Sequence, residues 1–165
     1  MVNGQGNGHQ YYLLDPYRDF LETEGVPIHE GYAVDCHTLP VEPWERLGGK
    51  GAYIHLAGRG DFLSSYLAEI PPGGQLNMER HLHEETIYVI SGHARFWAGP
   101  DLSDPHDAEA GDFVWVPPHE VHAETNRSDT EPVRMAVARS TQEAIVVNLP
   151  NPEGWPPQEG APGAT

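Results

Sequence analysis

From residue 52 onward, apolar and polar positions alternate in short runs separated by turn signals. Strands are predicted over residues 52–57, 62–70, 75–81, 86–91, 93–98, 113–117, 121–126, 133–140 and 144–149. The runs are bounded by Gly58-Arg59-Gly60, Pro71-Pro72-Gly73-Gly74, Ser91-Gly92, Gly99-Pro100, Ala110-Gly111-Asp112 and Pro117-Pro118. Segments of about five to eight residues with punctuation this regular predict an all-β sandwich or barrel. Strand–helix alternation is missing, which argues against a parallel α/β sheet. The acidic, turn-rich stretch 100–109 reads as an exposed hairpin loop. The N-terminal region follows another pattern. Residues 1–10 are rich in Gly, Asn and Gln and are expected to be a flexible tail. Asp15-Pro16 then has the chemistry of a helix start, with Asp as N-cap and Pro at the first helical position. Tyr17, Phe20 and Leu21 fall on one helical stripe, and Gly25 and Pro27 end it, so a short N-terminal helix is predicted. We read one domain over 11–150, followed by an irregular Pro/Gly-rich tail over 151–165.

Composition narrows the function classes. Hydrophobic residues make up 38% of the chain, a low share that the polar ends account for. With 25 acidic against 9 basic side chains the net charge is −16, which argues against nucleic acid or an anionic membrane as partner. The single cysteine, Cys36, permits neither an intramolecular disulfide nor a cysteine-rich zinc site. The first ten residues carry no basic and apolar leader pattern, and no run of about 18 apolar residues occurs. The expectation is a soluble cytoplasmic protein. Asn126-Arg127-Ser128 fits a glycosylation sequon but carries no weight without a secretion signal.

Chemistry concentrates in two segments, Glu79 to Gly92 and Gly111 to Asn126. Residues two apart on a strand share a face. Glu79, His81, His83 and Glu85 would therefore align in the first segment, and His122, Glu124 and Asn126 in the second. Imidazole and carboxylate together suit iron(II), manganese, nickel, cobalt or zinc, and the lack of thiolates disfavours a structural zinc site. Two His with one or two carboxylates leave positions on the metal for water, substrate or dioxygen. His9, His29, His37, His93 and His106 have no such context and read as structural or exposed. Other motifs fail. Gly48-Gly49-Lys50-Gly51 lacks the spacing of a phosphate loop, and His119-Glu120-Val121-His122 is one residue short of a zinc-protease helix motif.

The two segments resemble the paired motifs of a small single-domain cupin, over roughly residues 62–140 with core motifs in 73–126. Glu85 followed by six residues and Gly92 matches the end of the first motif. Counting back four gives His81, and two more gives Glu79, where the family usually has its first histidine. Gly111, Pro117, His122 and Asn126 match the second motif, with His119 in place of its inner glycine. The resemblance implies a jelly-roll β-barrel with a metal in its mouth, held by Glu79, His81, Glu85 and His122. A rival register through His81 and His83 would need a Glu at position 87 or 88, which hold Ile87 and Tyr88. Two carboxylates make the set harder than three histidines, which favours Fe(II) or manganese over nickel, cobalt or zinc. Ile87 and Val89, together with Glu124 and Asn126, should face inward. An aromatic wall from Phe96 or Trp97 and from Phe113 or Trp115 is also expected. The resemblance further implies a small-molecule substrate and an oxidoreductase of dioxygenase type. A metal-dependent isomerase or lyase, or a non-catalytic metal-binding module, are the alternatives. It also implies a homodimer, with the helix near Tyr17–Leu21 and the stretch 146–150 as candidate contacts.

Overall fold

Val133, Met135, Val137 and Arg139 are buried while Arg134, Ala136 and Ala138 between them are partly exposed, the alternation of a strand with one face in a core. Glu85, Ile87 and Val89 repeat it one strand away, with Thr86 and Tyr88 turned outward. The structure is a computed structural model that describes residues 28–29, 33–44, 47–53, 55–56, 63–141 and 146–156. Its strands are β1 (Ile28–His29), β2 (Glu42–Trp44), β3 (Gly49–Tyr53), β4 (His55–Leu56), β5 (Ser64–Ile70), β6 (Glu79–Arg80), β7 (Glu85–Ser91), β8 (His93–Ala98), β9 (Asp104–Glu109), β10 (Phe113–Val116), β11 (His122–Asn126), β12 (Val133–Arg139) and β13 (Val147–Asn148). No helix occurs among the described residues. The helix expected after Asp15 and the tail over 1–10 lie outside them.

The strands build a six-stranded sheet in the order β10-β7-β12-β5-β3-β2 and a five-stranded sheet in the order β13-β6-β11-β8-β9. All pairs in both are antiparallel. β1 and β4 form a separate parallel pair. No strand of one large sheet pairs with a strand of the other among the described residues, so the arrangement agrees with a jelly roll but not with a closed barrel. One core cluster includes Ile70, Ile87, Val89 and Val133 of the six-stranded sheet with Ala94, Phe96 and Ala108 of the five-stranded one. Ile70, Val89 and Val133 are fully buried, each a contribution of roughly 1.5–3 kcal/mol. A second cluster of Met78, Trp97, Leu102 and Ala123 takes in Leu149 and Trp155, so the segment after β13 packs on the five-stranded sheet.

Several expectations change here. The segment expected as an exposed acidic loop contains β9, paired along its length with β8. It escapes detection because its side chains are mostly charged and it carries Pro105, features that suit an edge strand. Strand 52–57 begins earlier, as β3, and 75–81 shortens to β6 plus one bridge from Gln75 to Thr125. Phe96 enters the first core cluster while its neighbour Trp97 joins the second. Neither Phe113 nor Trp115 turns inward. Both are exposed, at 72% and 61%, and Val114 and Val116 pack on the core instead. Gly92, which turns β7 into β8, has φ +87°, and a Cβ there would stand 2.7 Å from the Pro132 carbonyl oxygen. Both backbone handedness and space demand glycine at that position.

Candidate metal centre

Strand register assembles the site from both sheets. In the five-stranded sheet, Glu79 of β6 lies opposite His122, the first residue of β11. In the six-stranded sheet, Glu85, the first residue of β7, lies opposite Arg139, the last of β12. His81 directly follows β6 and is 3% exposed. Glu79, His81, Glu85, His122, Glu124 and Arg139 are all buried, an unusual density of charge for a core.

Each imidazole is oriented by the backbone. His81 Nδ1 lies 2.5 Å from the carbonyl of His83, and His122 Nδ1 lies 3.1 Å from that of Glu120. A carbonyl can only accept, so both Nδ1 atoms carry the hydrogen and donate. That directs each Nε2 lone pair into the site, and neither Nε2 has a hydrogen-bond partner. The nearest carboxylate oxygens are 3.6 Å from His81 Nε2, on Glu85, and 3.7 Å from His122 Nε2, on Glu79. One ligand atom each from Glu79, His81 and His122 lies within 4.8 Å of the others, and Glu85, His122 and Glu124 meet the same condition. A cation with ligands at about 2.0–2.2 Å spaces them by roughly 3–4.4 Å. The group could therefore hold a metal ion, and the unpartnered Nε2 atoms are what such an ion would satisfy. His83 contributes its backbone carbonyl, while its half-buried ring stands in the turn before β7. His119 is exposed with φ +69°, the left-handed conformation that accounts for a glycine in the related motif. Its N–H donates to the His81 carbonyl at 2.8 Å.

Two residues of the site have no motif to announce them. Arg139 donates through Nη2 to Glu79 Oε1 at 2.8 Å and through Nε to Glu85 Oε2, bridging one carboxylate from each sheet. The Tyr66 hydroxyl reaches Glu85 Oε2 at 3.4 Å, and the Arg139 guanidinium stacks on its ring at 5.3 Å. The signal was parity, since Arg139 shares its strand face with Val133, Met135 and Val137. Asn126 lies on the His122 face as expected, but its side-chain amide bonds the carbonyls of Ile70, Pro71 and Glu131 and so fastens loops.

Burial dominates the electrostatics. It lowers the His81 pKa to about 4, so that ring is neutral and free to ligate near pH 7. Burial opposes a charge on His122 too, but the carboxylates of Glu124, Glu85 and Glu79 outweigh it and raise its pKa. A metal ion would compete with that proton. Glu79 is raised by burial despite Arg139 and His122, and the Tyr66 hydroxyl is pushed well above its usual range by burial. Glu124 is raised by burial to about 8. The folded state therefore keeps this proton where the unfolded chain has lost it, so metal-free stability falls as pH rises from about 4.5 to about 8. Glu124→Gln should remove on the order of 4 kcal/mol of that decline. Urea unfolding across this range in the presence of a chelator measures it, and parallel pH slopes for the two proteins would refute it.

A cleft of about 550 Å³ opens between the β9 and β10 edges, where the two sheets fail to close, and it reaches His122. Phe96, Trp97, Val114 and Val116 line it with the exposed rings of Phe113 and Trp115, the aromatic wall the sequence suggested, and Asp104 and Glu120 supply carboxylates.

Residues 66–139 match the model of the cupin domain family. No curated protein matches the chain in sequence. Among solved structures it is similar to the Bacillus subtilis oxalate decarboxylase, S161A mutant, at 27% identity and TM-score 0.53, covering 66% of this chain and 30% of that one. It is similar to the Lactobacillus farciminis oxalate decarboxylase formate complex at 24% identity and TM-score 0.56, covering 68% and 34%. The polyketide cyclase RemF from Streptomyces resistomycificus shares the fold at 19% identity and TM-score 0.62, covering 74% and 88%. The match thus spans about a third of the oxalate decarboxylases and most of the cyclase. The family match, together with the facing sheets and the His/Glu group between them, makes residues 66–139 of this chain a cupin domain.

Proposed function

We propose that this protein is a metal-dependent enzyme acting on a small organic molecule. Glu79, His81, Glu85 and His122 would hold one divalent cation between the sheets. The observation that carries this reading is the pair of buried imidazoles whose Nε2 atoms face the carboxylates without a partner. Two carboxylate donors favour Fe(II) or Mn(II), and the B. subtilis oxalate decarboxylase, similar to part of this chain, holds Mn(II) centres. Bound there, such a cation would supply Lewis acidity and, as iron, one-electron chemistry with dioxygen.

The chain's own residues do the rest. The carbonyls of His83 and Glu120 set both imidazole tautomers. Arg139 holds Glu79 and Glu85 in position and offsets their charge. The leading reaction class is a dioxygenase-type oxidoreductase. A lyase or isomerase is the second reading, favoured by Glu124, a buried carboxyl on the His122 face that can hold or pass a proton. Oxalate itself suits the site poorly, because Arg139 is already committed to two carboxylates.

Metal analysis of the purified protein, with oxygen uptake on dihydroxy aromatics and β-dicarbonyls, tests the reading. Iron or manganese near one per chain is expected, with oxygen consumed by at least one substrate class. Iron-loaded protein that consumes none would overturn the dioxygenase assignment, and turnover without oxygen would select the lyase or isomerase.

A further inference from the structure

The cleft between β9 and β10 has a definite charge character. Asp104 lines the cleft together with His106 on the same face of β9, and the His106 Nε2 stands 3.1 Å from Asp104 Oδ2. Asp112 and Glu120 also line it, each spending one oxygen on a backbone N–H, of Glu109 and Gly99 respectively, at 2.9 Å. Those bonds fix the carboxylates without neutralising them. A further lining carboxylate, Asp107, is paired with Arg95. No lysine or arginine lines the cleft. At its His122 end the cation Arg139 is bound to Glu79 and Glu85, so it offers little to an incoming anion.

We infer that this cleft is the route by which substrate reaches the metal group, and that it selects small organic amines with an apolar body. The inference rests on the metal reading above and adds the substrate class. The apolar lining from Phe96, Val114 and Val116 would take the body of the molecule. The carboxylates of Asp104 and Glu120, at the His122 end of the cleft, would take its ammonium, and Asp112, beside Glu109 at the other end of β9, would add to the negative field. Along the cleft a carboxylate on the same scaffold would meet Asp104, Asp112 and Glu120, in a chain of net charge −16.

The test uses three probes of matched shape, 2-phenylethylamine, 2-phenylethanol and phenylacetate, titrated against the full chain with Mn(II) by calorimetry. The amine should bind tightest and phenylacetate weakest, with a gap of about tenfold or more at low ionic strength that narrows in high salt. The double variant Asp104→Asn/Asp112→Asn should collapse that gap while Mn(II) affinity, read separately, stays unchanged. Phenylacetate binding as tightly as the amine would overturn the inference, as would a gap that survives the double variant or no binding of any probe. The metal titration separates the two readings. Mn(II) binding without amine preference overturns the cleft assignment alone, and amine preference without Mn(II) binding overturns the metal assignment alone.

Discussion

Arg139→Met should destabilise the metal-free protein by about 3–5 kcal/mol at neutral pH, the cost of stripping the cation from a buried ion pair. Glu79 is 6% exposed and Glu85 2%, and the guanidinium touches both. Removing it leaves two carboxylates facing each other across the sheets with little solvent to screen them. The deficit should shrink in acid, where Glu79, whose pKa burial raises, takes up a proton, so its pH dependence is part of the prediction. A divalent cation between the same oxygens would replace the lost charge. Mn(II) should therefore restore more stability to the variant than it adds to the wild type. Arg139→Lys should recover little, because one ammonium cannot match the two-pronged geometry of a guanidinium. Urea unfolding with and without Mn(II) reads all of this. A variant as stable as the wild type in chelator would mean that Arg139 does not neutralise the site.

His122→Ala should lower Mn(II) affinity by more than about 100-fold, since loss of a ligand's orienting partner alone costs 10–100-fold. His122 belongs to both groups of residues that could hold a cation, so no alternative set forms without it. His83→Ala should leave affinity nearly intact, because only the backbone carbonyl of His83 contacts His81. The pair of variants thus discriminates the two motif registers. Competition with a fluorescent chelator measures both affinities, and circular dichroism confirms that each variant folds. Full metal occupancy in His122→Ala would refute the ligand set.

What could be read along the chain follows from locality. Strand parity acts over two residues and turn chemistry over three or four. Gly92, with φ +87° and no room for a Cβ, anchors the count back to Glu85, His81 and Glu79. The same local logic put Ile87, Val89 and Glu124 on the inward face, where the structure has them buried. It failed on β9, whose charged residues are held as a strand by pairing with β8 rather than by any periodic pattern of their own. It could not choose between Phe113 and Trp115, both of which stay exposed and line the cleft while two valines take the core positions.

Residue spacing alone is enough to give the all-β architecture, the two motif segments and His81, Glu85 and His122 at or beside strand ends. These depend on spacing, and spacing is visible in one dimension. It takes the folded chain to bring Arg139, 54 residues from Glu85 and 60 from Glu79, onto both carboxylates. Pairing of β12 with β7 brings it there, and a lone arginine in a valine-rich strand does not announce its partner. The open seam that forms the acidic cleft is likewise a tertiary feature, because it exists only where the edges of two sheets stop short of each other.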